Sequence, residues 1–240
     1  VGGNIIEGNI LNSEFKSFVG LHPIPMRHSL TMGEMAKLIN TYFLPSPGQL
    51  EVITLQNWNR DFFWKDLDRH WVLPSPNLPT SEGALTFVGS VLFEGTNISE
   101  GRGTTRSLEI IGHPNIEAFQ FSQSFNKLLR KHQIHGILAR PQVFLPTFQK
   151  HQNVVCQGCQ LHVQNFSQAR PWSVGQLLCR ELYHELGTDF KWNDQPYEYE
   201  FSGLAIDFIN GDNRIRKWVE ANGSLEELLH LEQENLQTFI

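Results

Sequence analysis

Cysteine is scarce in this chain: there are three in 240 residues. That is too few for a disulfide framework, so Cys156, Cys159 and Cys179 each need their own explanation. Long apolar runs are lacking too, and none approaches the ~18 residues of a membrane-spanning helix. No run of Lys or Arg occurs, and the net charge is −6 with a pI near 5.9. A nucleic-acid surface normally needs a basic face, so that class is disfavoured. Internal repeats and low-complexity linkers do not occur. Nothing at the start resembles a signal peptide, and the chain opens on Val1 rather than Met, which reads as processed or excerpted. What is present is ordinary globular composition, 40% hydrophobic and 18% charged, with length enough for one or two domains.

Helix and strand signals alternate along the chain. Thr31 and Glu34 form a capping box ahead of Met35, Leu38, Ile39 and Tyr42, which share one helical face. Leu50–Gln56 reads as a strand, and Leu85–Phe93 as a second. Glu117–Gln133 repeats apolar residues at helical spacing. Ile137–Phe144 is a strand placed at a sheet edge by Pro141, and Val154–Gln164 is another. Ser173 and Gln176 cap a helix that Gly187 stops. Asp212–Ala221 and Ser224–Leu236 close the chain as two short helices, the latter with a Ser224–Glu227 box. The pattern is α+β, with a boundary expected near Ser81–Leu85. Residues 1–84 read as the tail of a layered α/β domain, and 85–240 as a compact α+β domain.

The most informative stretch is Phe93–Thr105, FEGTNISEGRGTT. Glu94, Glu100 and Arg102 stand among three glycines and five small polar residues, with no hydrophobic period running through them. Glycines at that density let a backbone adopt positive φ and approach another group closely. Charged side chains on such a backbone point to a polar ligand site. A solvated loop in which Arg102 pairs with its own glutamates fits the same pattern.

Other polar clusters carry similar choices. His22, Arg27 and His28 lie in LHPIPMRHS, where Pro23 and Pro25 stiffen an extended backbone. Cationic and imidazole groups held this way suit a carboxylate ligand, or simply a surface turn leading to the Thr31 cap. Asn77, between Pro76 and Pro79, presents an amide that suits sugar hydroxyls. A metal site on His22, His28 and Glu34 has the right ligand types, but Glu34 is already used as a capping residue. Trp58, Trp64 and Trp71 are assigned no role, and Asp207 reads as an anchor for the Gly211 turn or a pair for Arg214. Cys156 and Cys159 form one CxxC, open to a local disulfide, half a metal site, or buried structural thiols. The strand alternation around Cys159 favours the last. The sequons at Asn97, Asn165 and Asn222 matter only in a eukaryotic secretory setting.

FEGTNISEGRGT resembles the signature of the NamZ-like exo-β-N-acetylmuramidases. SFVGLHPIPMRHSLTMGEMAKLIN (17–40), WVLPSPNLPT (71–80), CQGCQLHV (156–163), PYEY (196–199) and AIDFINGDNRIR (205–216) agree in order, so the resemblance spans nearly the whole chain. It implies an enzyme type that cleaves N-acetylmuramic acid from the non-reducing end of peptidoglycan fragments, outside the cytoplasm, with no cofactor or metal. The sequons then read as coincidence, because the family is bacterial. The resemblance further implies a Rossmann-like segment ahead of Val1, which carries the family's proposed catalytic glutamates, and an active cleft between the two parts.

Glycoside cleavage needs two carboxyl groups flanking the scissile bond. Within this chain Glu94 and Glu100 are the natural catalytic candidates, with Glu7 a third. His22, Arg27, His28, Asn77, Asn97, Ser99, Arg102 and Thr104 are the candidates for holding a muropeptide-derived sugar. On this reading Arg27 and His28 take the lactyl carboxylate of muramic acid. The chain itself is expected to be mainly the substrate-binding portion, with a non-catalytic carbohydrate-binding module as the alternative. Oligomeric state is not readable.

Overall fold

Two glycines, Gly89 and Gly175, decide how the centre of the molecule is built. The computed structural model describes residues 2–239. The chain opens with a two-residue antiparallel pair, β1 (Ile6–Glu7) and β2 (Arg27–His28), and then helix α1 (Met32–Tyr42). The Thr31–Glu34 capping box forms as expected. An irregular segment follows up to Thr80. The strand expected at Leu50–Gln56 does not form. Ile53 and Leu55 are exposed, and no neighbouring strand among the described residues receives the segment's backbone bonds.

Helix α2 (Ser81–Ser90) replaces the strand expected over Leu85–Phe93, and a 3₁₀ turn (Val91–Gly95) continues it. Thr80 caps α2 by accepting from the Gly83 amide at 2.9 Å. The correction has a tertiary cause. α2 crosses helix α4 (Pro171–Leu186) at Gly89 and Gly175, where a Cβ on either glycine would overlap the backbone of the other helix. The apolar run is therefore the buried face of a helix that lies against another helix.

Strand β3 (Ile110–His113), helix α3 (Ala118–Lys131), strand β4 (Ile137–Phe144) and strand β5 (Cys156–Val163) build a three-stranded antiparallel sheet in the order β3-β5-β4. Pro141 pairs with Cys159 on edge strand β4, the position where its missing N–H costs least. Successive side chains on β5 alternate faces, so Cys156 and Cys159 point opposite ways. Cys159 joins the main core with Leu161, whereas Cys156 packs with Ile110 and Phe144. All three thiols are buried and free.

Helix α4 begins at Pro171, two residues before the Ser173 cap expected from local pattern. Its cap comes from far away in the chain: Glu7 Oε1 accepts from the Ser173 amide at 3.1 Å. The AIDF run opens helix α5 (Ala205–Asn210), and Asp207 pairs with Arg216 rather than with Arg214, which goes to Asp212. Helices α6 (Asn213–Glu220) and α7 (Leu225–Gln233) close the fold, α7 with the Ser224–Glu227 box in place. The fold is mixed α+β. Among the described residues no helix is long and apolar enough to cross a membrane.

Candidate functional site

The 3₁₀ turn after α2 delivers Glu94 at the start of the Gly-rich loop. Gly95 packs against the backbone of Ile206, and Thr96 and Ser99 form isolated bridges to Trp192 and Gly112. The Ser99–Gly112 bridge lays the loop along β3. Gly101 and Gly103 take φ of +75° and +81°, a backbone that side-chain-bearing residues rarely adopt. The first part of the loop is consequently not solvated: Thr96, Ile98, Ser99 and Glu100 are all buried, and exposure begins at Arg102.

On this frame Arg102 does pair with its own glutamates. Nη2 contacts Glu94, and Nε donates to Glu100 Oε1 at 3.0 Å. Lys150 Nζ donates to Glu100 Oε2 at 2.8 Å, and the Tyr197 hydroxyl donates to Glu94 Oε2 at 2.8 Å. Every carboxylate oxygen of the two glutamates thus has a partner. Burial works against the Arg102 charge, and Glu94 and Glu100 more than offset it, holding its pKa above the ordinary value. Burial, then the Glu94 carboxylate, pushes the Tyr197 phenol well up, so it remains a proton donor. Arg102 Nη1 bonds to none of the described residues, and the side chain is 19% exposed.

The rest of the loop supports this cluster. Asn97 Nδ2 donates to the Asp189 carbonyl at 2.8 Å, its Oδ1 accepts from the Lys191 amide, and it lies 3.4 Å from His113 Nε2. Ser99 Oγ accepts from the Gly101 amide, and Thr104 donates to the Gly101 carbonyl at 2.6 Å. Asn77 approaches from outside the loop, its Oδ1 3.5 Å from Ser107 Oγ. Thr80 and Glu109 bond beside it.

His22, Arg27 and His28 occupy other surroundings. Arg27 is 3% exposed and donates to Glu7, to the Gly2 carbonyl and to the Ala169 carbonyl. Burial lifts the Glu7 carboxyl to about 7, against the opposing effects of the Ser173 amide and Arg27. His28 Nδ1 accepts from the Leu30 amide at 3.0 Å, so its Nε2 carries the proton, and burial lowers its pKa. It lines a cavity of about 250 Å³ with Trp58, Arg60 and Leu85. Leu85 lies on α2 and precedes Glu94 by nine residues. His22 stacks on Phe43 at 4.2 Å, and Glu34 is held by Thr31 and Arg60. The described residues contain no group of three metal-ligating side chains.

The family model described as exo-β-N-acetylmuramidase NamZ, C-terminal, matches residues 85–240, and its N-terminal counterpart matches residues 1–82. The chain belongs to the NamZ family. It is 38% identical over 239 residues to the peptidoglycan β-N-acetylmuramidase NamZ of Bacillus subtilis (strain 168), covering 99% of this chain and 54% of that protein. The chain therefore spans about half the length of that curated relative. Two crystal structures of DUF1343 family proteins from Bacteroides fragilis NCTC 9343 are similar in fold. One has a TM-score of 0.84 at 22% identity, covering 99% of this chain and 61% of that one. The other has 0.68 at 25%, covering 99% and 60%.

Against this NamZ-family background, two residues of the cluster carried no assigned role in the sequence. Tyr197 lies in PYEY, one of the stretches that carry the family resemblance, so a signal existed. Lys150 lies in a polar hairpin turn with no motif around it, and only the sheet brings it to Glu100.

Proposed function

We propose that this chain is the substrate-binding portion of a glycoside hydrolase that acts on peptidoglycan fragments and releases terminal N-acetylmuramic acid. The carrying observation is the Arg102 guanidinium, fixed on two edges by Glu94 and Glu100 with Nη1 left for a ligand oxygen. Such a fixed donor suits a carboxylate or sugar oxygen, and a charge-assisted bond of this kind contributes about 1.5–3 kcal/mol. The lactyl carboxylate distinguishes N-acetylmuramic acid from N-acetylglucosamine. Arg27, spent on Glu7 and two carbonyls, is less suited to that task than Arg102.

Glu94 and Glu100 fit an orienting role better than acid or nucleophile, because no oxygen of either lacks a partner. A retaining or inverting mechanism needs two carboxyl groups facing the scissile bond with different protonation states. Chain-alone turnover of a chromogenic muramic-acid β-glycoside is accordingly expected to be weak or nil, with sugar binding retained. Calorimetry should show tighter binding of N-acetylmuramic acid than of N-acetylglucosamine, and loss of that preference in Arg102→Gln. Equal affinity for both sugars would remove the basis for the assignment. Robust turnover abolished by Glu94→Gln or Glu100→Gln would move the catalytic pair into this chain.

A further inference from the structure

A buried histidine faces two hydrogen-bond donors where the Gly-rich loop meets the sheet. His113 ends β3 with 5% exposure, and the Asn115 amide donates to its Nδ1 at 3.2 Å. The other ring nitrogen, Nε2, lies 3.4 Å from Asn97 Nδ2. The Asn97 carboxamide is not free to turn its oxygen toward the ring. Its Oδ1 accepts from the Lys191 amide at 2.9 Å, while Nδ2 donates to the Asp189 carbonyl at 2.8 Å. A neutral imidazole has one lone pair and can accept from one of these two groups, whereas an imidazolium has none and opposes both. Two charged or titratable groups face the ring. His151 stands edge to face at 4.7 Å, and Asp189 Oδ2 accepts from Asn115 Nδ2 at 2.9 Å. Gln157, opposite His113 on β5, is uncharged, and Lys150 is turned to Glu100.

The same residues hold the loop. The Asn97 amide donates to the Lys191 carbonyl at 2.9 Å, and the Asn97 carbonyl accepts from His151 Nε2 at 2.7 Å. Ser99 exchanges backbone bonds of 2.9 and 3.0 Å with Gly112, the residue before His113. We propose that His113 is a positioning residue that keeps Asn97, and the loop carrying Arg102, in place only while its ring is neutral, so that acid opens the loop. Protonation puts a donor on each ring nitrogen, and the ring, Asn115 and Asn97 cannot then keep their present places. Asp189 is the anion at hand to receive the imidazolium. Burial and then His151 lower the His113 pKa, with Asp189 opposing. Contacts that need the neutral ring are therefore fully present above the ordinary 6.5 and are lost as pH falls below it.

Amide exchange followed by NMR on the 240-residue chain tests this, each rate being referred to the intrinsic rate at that pH. From about pH 7.5 to about pH 5 the Asn97 and Ser99 amides should lose about tenfold more protection than those of α4, the effect of one pKa unit of linkage. In His113→Asn, whose carboxamide oxygen can still accept from the amide two residues on, that extra loss should vanish. His151→Gln, which keeps a donor for the Asn97 carbonyl, should retain it. In the parent, the His113 ring and the Lys191 amide should titrate together with a midpoint below 6.5. Separate midpoints, or an undiminished pH dependence in His113→Asn, overturn the proposal, as does a dependence abolished by His151→Gln alone. The consequence for ligand binding rests on the reading of Arg102 above and fails separately. N-acetylmuramic acid should bind the parent more weakly at the lower pH and bind His113→Asn equally at both. A loop that opens in acid without any change in sugar affinity supports the His113 switch and counts against the Arg102 reading.

Discussion

Lys150 Nζ lies 2.8 Å from Glu100 Oε2 and also donates to the Phe93 and Ile98 carbonyls at 2.6 and 3.0 Å. One ammonium from the β4–β5 turn therefore ties both ends of the Glu94–Glu100 segment. The same turn sends the Thr147 amide to the Gly103 carbonyl and places His151 against the Asn97 carbonyl. Lys150→Met strips the Ile98 carbonyl and a buried carboxylate oxygen of their donor, and removes one of three donors to the Phe93 carbonyl, which Thr96 still serves; an expected loss of about 3 kcal/mol follows. Chemical denaturation measures it, and native-state hydrogen exchange should show the Ser99 and Gly101 amides opening faster. Lys150→Arg should recover only part, because a planar fork does not reproduce three divergent donors. Unchanged stability and exchange in Lys150→Met would show that the clamp contributes nothing.

The α2–α4 crossing makes a second prediction. A methyl at Gly89 meets the Pro171 carbonyl and the Gly175 backbone, not a flexible side chain. Relief requires one helix to move, so Gly89→Ala should destabilise the fold by about 3 kcal/mol or more, at the upper end of overpacking costs. Helix propensity alone favours Ala over Gly by about 1 kcal/mol, so the two effects oppose and the clash should dominate. A stabilised variant would mean that the helices separate at no cost.

The buried Glu7–Arg27 pair sets a pH signature. Glu7 has a folded pKa of about 7 against an ordinary 4.5. A carboxyl raised in this way contributes stability that is fully present below 4.5 and is lost as pH rises through about 7. Arg27→Leu removes a charge that lowers the Glu7 pKa, so the loss extends to higher pH. The stability gap between parent and variant should then widen between pH 5 and 8.5, reaching about 3–5 kcal/mol at the alkaline end. Denaturation curves at both pH values provide the test, and a pH-independent gap would rule out Glu7 as its source.

Thiol chemistry offers a fourth. Burial raises Cys156 to about 11 and Cys159 to about 12, and raises Cys179 further. Reaction requires thiolate, so all three should resist a thiol reagent in the native protein and react after denaturation. Air oxidation should leave the native protein without a Cys156–Cys159 bridge, since the two side chains leave opposite faces of β5. A bridged peptide in mass spectrometry of the native protein would contradict that geometry.

Local chemistry was legible and distant chemistry was not. The Thr31–Glu34 and Ser224–Glu227 caps close within four residues, so short-range pattern contains everything that forms them. Pro141 announced an edge strand by its missing N–H, and the β5 alternation announced the burial of Cys159. The Glu94–Glu100–Arg102 grouping was visible because all three lie within nine residues. Leu85–Phe93 was misread because a buried helix face and a strand share the same apolar run, and only the approach of Gly175 decides between them. Leu50–Gln56 has strand composition, but a strand exists only where another backbone accepts it.

The amino-acid sequence by itself determined the family, the mixed α+β class, the Thr31 and Ser224 helix caps and the charged loop. Tertiary structure alone decided where α4 begins, through Glu7 at a separation of 166 residues, and which groups complete the site. Tyr197 reaches Glu94 across 103 residues and Lys150 reaches Glu100 across 50. Hydrogen bonds over such distances depend on how helices and sheet pack, and packing is set by the whole core rather than by any window of the chain.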